Sequence, residues 1–219
     1  MRCRRPENHR VVVDGRWASE RGAHRGIGVD GRTVGILGFG SVGSELAQML
    51  APLGVTVIAN TRSGSSARAA QLGIELVDRQ TLAARSDFVV VAAALTAENY
   101  GMLDEAFFAA MKPSAYFINI ARGGLVNQPA LTAALRAGLI AGAALDVYEP
   151  EPPAPDDPLF AMDNVICTPH ALCWTADFTR DVSASLMEAV IAVSRNEIPA
   201  TALGTEALDA ATWRGRKGT

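Results

Sequence analysis

The sequence predicts an α/β fold, a doubly wound and mostly parallel sheet with helices on both faces. Three observations predict it. Short β-branched runs alternate with segments of helical period along the chain. A glycine turn, Gly38-Phe39-Gly40-Ser41-Val42-Gly43, joins one such run to one such helix. The composition is 49% hydrophobic but only 6% aromatic, with 20 glycines, which suits helices lying close on a sheet.

In chain order, Thr33–Leu37 is short, apolar and glycine-terminated, as a buried parallel strand should be. Leu46, Ala47, Leu50 and Leu53 give Ser44–Leu53 a helical period, and Gly54 stops it. Val55–Ala59 reads as the second strand, and Ser65–Leu72 as a helix ended by Gly73. Phe88–Ala93 is the third clear strand, and Asp104–Met111 a helix halted by Pro113. Tyr116–Ile120 is a further strand, followed by a Gly-Gly loop and the helix Gln128–Ala137. Ala141–Val147 and Asn164–Thr168 complete the strands, separated by the irregular, proline-rich connector YEPEPPAPDDP. Trp174–Asn196 reads as one long helix. Strands spaced by helices of this length imply right-handed crossovers.

Charge narrows the partners. A formal net charge of −3 gives no electrostatic reason to expect nucleic acid or anionic lipid. The longest apolar run, Phe88–Leu95, is far too short to cross a bilayer, so no membrane is expected. The N-terminal MRCRRPENHR is basic but lacks a following apolar stretch, and reads as a solvated tail or helix end. Cys3, Cys167 and Cys173 match no metal spacing and cannot all pair, so a reduced, cytoplasmic setting is expected.

The glycine turn carries the first chemistry. Gly38 permits a sharp exit from the strand, Gly40 lets the backbone approach a pyrophosphate, and Gly43 lets the helix sit close on the sheet. The turn stands between a strand and a helix, as dinucleotide binding requires, so a Rossmann-type domain is expected. After the second strand, where NAD-binding domains carry an acid for the ribose hydroxyls, the chain has Thr61 followed by Arg62. An uncharged residue beside an arginine suits a 2′-phosphate, so NADP is favoured over NAD.

Three further groups lie on loops that follow strands, where open α/β sheets bind ligands. Arg122 stands in INIARGGLV, Glu151 in LDVYEPEP and His170 in CTPHALCW. Hydride transfer to a 2-oxo acid needs a group that grips the carboxylate and polarises the carbonyl, and another that donates a proton. Arginine suits the first need. Histidine suits the second when a carboxylate neighbour favours its charged form.

From about Gly15 to its C-terminus the chain resembles the D-2-hydroxyacid dehydrogenase family, which includes phosphoglycerate dehydrogenase and glyoxylate/hydroxypyruvate reductase. TVGILGFGSVG, INIARGGLV, LDVYEPEPP and TPH carry the likeness in order and spacing. The resemblance implies an NAD(P)-dependent oxidoreductase acting on a small 2-oxo or 2-hydroxy acid, with Arg122 binding the substrate carboxylate and carbonyl. It implies His170 as acid/base and Glu151 as its partner, because the family's glutamate sits five residues after the aspartate here numbered Asp146. It also implies that Ser41, Val42, Thr61, Ile120, Ala121, Asp146 and His170 to Cys173, through Ala171 and Leu172, face the cofactor, and that the protein is a homodimer. Cys173 and Trp174 are expected to line the mouth of the site.

The expected organisation is a lead-in over 1–30, a dinucleotide-binding domain over 31–173, and a C-terminal helix and tail over 174–219. Family members carry roughly another 100 residues ahead of the nucleotide domain, a small domain's worth. The chain is therefore expected to hold only remnants of a substrate domain, which would leave an apolar face on its last helix. A non-catalytic NAD(P)-binding module, or a fragment without turnover, is the alternative.

Overall fold

The alternating runs fold into one seven-stranded, wholly parallel sheet in the computed structural model, which describes residues 5–21 and 26–202. The strands are β1 (Thr33–Leu37), β2 (Thr56–Asn60), β3 (Glu75–Leu76), β4 (Phe88–Val91), β5 (Tyr116–Asn119), β6 (Gly142–Leu145) and β7 (Val165–Cys167). Their order across the sheet is β3-β2-β1-β4-β5-β6-β7. The winding reverses between β1 and β4, which opens a crevice at the carboxyl ends of those two strands.

Helices α1 (Arg5–Val13) and α2 (Trp17–Glu20) precede the sheet, and α3 (Ser41–Leu50), α4 (Ala67–Gln71), α5 (Arg79–Arg85), α6 (Glu105–Ala110) and α7 (Gln128–Arg136) connect its strands. Most begin on a side-chain cap. Asp78, Asp104 and Asn127 each accept the N–H three residues on, which satisfies one otherwise unpaired donor per helix.

The sheet is buried on both faces, and β4 shows how. Val89 and Val91 join a core with Phe107, Phe108, Phe117 and Leu131, while Phe88 and Val90 face a second core with Val34, Ile36 and Ala47. Each fully buried ring of the first core contributes about 1.5–3 kcal/mol relative to exposure. Gly35 of β1 is forced by this packing, since a Cβ there would meet Ser86 Oγ at 2.1 Å and Leu82 at 2.8 Å.

Besides the short α2 of the lead-in, two elements, β3 and α5, go beyond the sequence expectation. A two-residue strand has no period to read, and α5, RQTLAAR, carries Leu82 as its one large apolar residue. Helix α3 starts three residues ahead of its apolar period because Gly40 takes the cap position, and its expected end continues as a 3-10 turn over Ala51–Leu53. Other boundaries shift by a few residues at their ends.

The chain divides into two compact units, residues 1–170 and 171–219, and the sheet lies wholly in the first. In the second, α8 (Ala176–Ser194) starts on Thr175, whose Oγ1 accepts the Phe178 N–H at 3.0 Å. Phe178, Val182, Leu186 and Val190 of α8 are exposed. Cys3 and the tail after residue 202 lie outside the described residues. Among the described residues no helix is long and apolar enough to cross a membrane, and no cluster of three or more His, Cys, Asp or Glu could hold a metal ion.

Candidate active site

The glycine turn sits at the crevice, between the end of β1 and α3. Gly38 has φ +96°, and a Cβ there would meet the Ala93 backbone at 2.5 Å, so the turn lies hard against the loop after β4. A Cβ at Gly43 would meet the Gly38 carbonyl oxygen at 2.3 Å. Gly40 differs, because a Cβ there would meet nothing within 4 Å. Its lack of a side chain therefore serves no internal packing and leaves a cradle open above the turn. No side chain caps the first turn of α3, whose backbone N–H groups and dipole suit a phosphate. Ser41 and Val42 are exposed beside it. The turn thus fits a dinucleotide pyrophosphate.

Thr61 follows the last residue of β2 and donates to the Ser65 carbonyl at 3.4 Å, within a loop otherwise built of Arg62, Ser63 and Gly64. Arg62 is exposed.

Because the sheet is parallel, the loops after β5, β6 and β7 emerge side by side at the same edge as the turn. Arg122 comes from the first of these. Asn119, at the end of β5, is buried; its Oδ1 accepts the Ala121 N–H and its Nδ2 donates to the Arg122 carbonyl, both at 3.0 Å. This clamp holds the backbone on both sides of Arg122 and leaves the side chain exposed, with Nη1 donating to the Ala121 carbonyl at 2.6 Å.

Glu151 and His170 come from the second and third loops and meet. His170 Nδ1 lies 2.8 Å from Glu151 Oε2, while Glu151 Oε1 accepts the Tyr148 N–H at 2.9 Å. Burial works against the Glu151 charge. The Tyr148 N–H, the His170 contact and the Arg122 charge outweigh it, and hold the carboxyl below its ordinary value. Arg122 therefore lies within electrostatic reach of the pair. His170 itself has φ +51°, an uncommon conformation for a side chain of its size.

The other expected residues fall into place differently. Ile120 is half-buried against the second core, and Ala121 is buried. Asp146 is buried, with Oδ1 accepting the Thr168 hydroxyl at 2.6 Å. In the second unit Leu172, Cys173 and Trp174 are exposed, and Trp174 N–H donates to the Ala171 carbonyl at 3.0 Å. Three supporting residues escaped the sequence reading, namely Asn119, Tyr148 and Thr168. The buried Tyr148 hydroxyl lies 3.1 Å from the Leu145 carbonyl and 3.0 Å from the Thr168 carbonyl, tying the Glu151 loop to the strand end that leads to His170. Burial, first of all, pushes the phenol well above its ordinary pKa, so it stays a donor.

Known proteins share the sequence pattern and the fold. A family model described as D-isomer specific 2-hydroxyacid dehydrogenase, NAD binding domain, matches residues 3–171. D-3-phosphoglycerate dehydrogenase of Archaeoglobus fulgidus is 40% identical over 190 residues, covering 87% of this chain and 36% of that protein. Glyoxylate reductase of Thermococcus onnurineus is 36% identical over 208 residues, covering 93% of this chain and 62% of that protein. The crystal structure of a Pyrococcus horikoshii protein superposes with a TM-score of 0.82 at 29% identity, covering 94% of this chain and 63% of the other. The chain thus spans from about a third to about three fifths of the length of these relatives. With the family model matching most of the chain and the fold in agreement, the chain belongs to the D-isomer specific 2-hydroxyacid dehydrogenase family, through that family's NAD binding domain.

Proposed function

We propose that this chain is the cofactor-binding and acid–base part of a reductase of small 2-oxo acids, and that its cofactor is NADP. The observation that carries the reading is the His170–Glu151 pair at 2.8 Å, on the same sheet edge as Arg122 and the open glycine turn.

A bound reduced nicotinamide dinucleotide supplies the hydride that turns the carbonyl carbon into a carbinol carbon. Gly38, Gly40, Ser41, Val42 and Gly43 would hold its pyrophosphate, and Thr61 and Arg62 its adenosine ribose. Arg122 binds the substrate carboxylate with its planar fork and draws charge toward the carbonyl oxygen as that oxygen becomes negative. His170 gives this oxygen its proton from Nε2, since Nδ1 faces Glu151. Glu151 fixes the ring and compensates the imidazolium charge, and the Tyr148 N–H keeps the carboxylate turned toward it. In the reverse direction neutral His170 takes the hydroxyl proton.

The NADP preference is supported by the loop after β2. The position that would carry a ribose-binding acid holds Thr61, and no acid occurs from Asn60 to Gln71. A cytoplasmic setting and a homodimer are part of the same reading. The dimer is measured by sedimentation of the purified chain.

The test is loss of NADPH absorbance with glyoxylate, hydroxypyruvate or phenylpyruvate, with His170→Ala as control. Turnover that the control abolishes supports the reading. NADPH binding without turnover assigns the chain as a cofactor-binding module instead.

A further inference from the structure

From the end of β2 at Asn60 to the end of α4 at Gln71 the chain carries two charges, Arg62 and Arg68, both positive. They are placed differently. Arg62 lies within electrostatic reach of Glu98, whose carboxyl is held low by hydrogen bonding at Thr96 and at its own backbone N–H, with the Arg62 charge adding to both. The charge of Arg62 is therefore partly answered within the protein.

Arg68 has no such answer. Among the described residues no carboxylate stands within ion-pair distance of it. It reaches instead from α4 to the glycine turn, where Nη1 donates to Ser41 Oγ at 3.1 Å across 27 positions of sequence. Ser41 is the first residue of α3. The Arg68 side chain thus crosses the ground between the end of β2 and the start of α3, where a dinucleotide lays its adenosine ribose.

We propose that Arg68 is the second cation of the 2′-phosphate subsite, acting with Arg62 and anchored on Ser41. The inference rests on the reading of NADP as cofactor. A guanidinium carries five N–H donors, so Nη1 can keep Ser41 while Nε and Nη2 face a phosphate. The neutral hydroxyl is also a weaker acceptor than a dianionic phosphate, which would draw the fork toward itself. Tethering on Ser41 restricts the side chain before the ligand arrives, which lowers the ordering cost of binding.

The test is calorimetric titration of the full chain with NADPH and with NADH, for the unsubstituted protein, Arg68→Ala and Arg62→Ala. The proposal expects Arg68→Ala to weaken NADPH about tenfold. NADH affinity is expected to stay within about twofold, since it lacks the 2′-phosphate, and so reports that the variant is folded. An equal loss for both cofactors would place the charge on their shared pyrophosphate and overturn the proposal. No loss for either would leave Arg68 a surface tether, and overturn it too. A preference for NADPH that Arg62→Ala removes and Arg68→Ala does not would remove Arg68 alone, with NADP standing as cofactor. NADH bound as tightly as NADPH by the unsubstituted chain would refute the NADP reading and this proposal together.

Discussion

His170 holds a left-handed backbone at φ +51°, a conformation that costs a non-glycine residue on the order of 1–3 kcal/mol and persists only where its surroundings enforce it. Here they do so from two sides. The Thr168 carbonyl, two residues earlier, is held by the Tyr148 hydroxyl, and the ring is held by Glu151. The carboxylate is thus the orienting group of the pair, and its protonation state decides whether it can act. Because its folded pKa is depressed, Glu151 stays charged at neutral pH and loses its hold only as pH falls through a value below the usual carboxylate range. Glu151→Gln keeps the size and removes the charge across the whole neutral window. Its expected effect is a fall in kcat of about tenfold or more, part of the roughly 10²–10⁴ that a positioned acid–base group contributes. NADPH affinity should hold, because Glu151 lies on the loop after β6 and not at the glycine turn. A matching loss of NADPH affinity, measured by titration, would show that Glu151 shapes the cofactor site instead.

At the scale of elements, glycines that look alike in sequence separate by what surrounds them. A Cβ on Gly123 would meet the Tyr148 carbonyl carbon and oxygen at 2.0 Å, so the Arg122 loop and the Glu151 loop pack backbone to backbone. Gly123→Ala is expected to cost about 1–3 kcal/mol in urea melts and to lower kcat with it. Gly40→Ala should leave the melt unchanged and weaken the cofactor, since its Cβ would stand in the open cradle. Equal melting losses in the two variants would contradict this division. Asp87 shows an element joint of another kind. It accepts the Thr33 N–H at 2.9 Å and Lys112 Nζ at 3.1 Å, tying the start of β1 to the residue before β4 and to the end of α6. Burial opposes its charge but these partners prevail, leaving the carboxyl below its ordinary value. A depressed folded pKa stabilises above the unfolded value and is lost as pH falls through the folded one. Asp87→Asn is therefore expected to cost about 1–3 kcal/mol at pH 7 and distinctly less at pH 3. A cost that does not shrink at pH 3 would sink the electrostatic account. The elements themselves were legible wherever apolar periods and caps set them, as at β1 and α6. The short β3 and α5 were not, because two residues carry no period and α5, RQTLAAR, offers Leu82 alone as a large apolar residue, against the two phenylalanines of α6. Arg122, Glu151 and His170 stood in readable motifs. Asn119, Tyr148 and Thr168 stood in the same motifs, but their roles, like that of Arg68, were not legible, because they work through hydrogen bonds that the fold creates, three of them across twenty or more residues.

At the scale of the whole molecule, the glycine turn and the proposed acid–base residues share one edge because every strand runs the same way. The glycine turn and the Arg62 loop follow β1 and β2 on one side of the winding reversal, and Arg122, Glu151 and His170 follow β5, β6 and β7 on the other. A dinucleotide across the crevice would therefore contact both halves of the sheet, and its binding should be felt by the first unit as a whole. Ligand that binds only the folded state adds RT ln(1 + [L]/Kd), about 2.7 kcal/mol at a hundredfold excess over Kd. For a chain of this length that corresponds to a rise in Tm of about 5–10 °C. NADPH at a fixed concentration is expected to give such a rise, and the proposed role of Thr61 and Arg62 expects a smaller one from NADH at the same concentration. Gly40→Ala should melt like the unsubstituted protein without ligand and lose most of the rise with it. The diagnostic quantity is the difference between the two melts. A rise that survives in Gly40→Ala would place the dinucleotide away from the glycine turn, and a rise that is equal for NADH and NADPH would assign the loop after β2 no part in choosing between them.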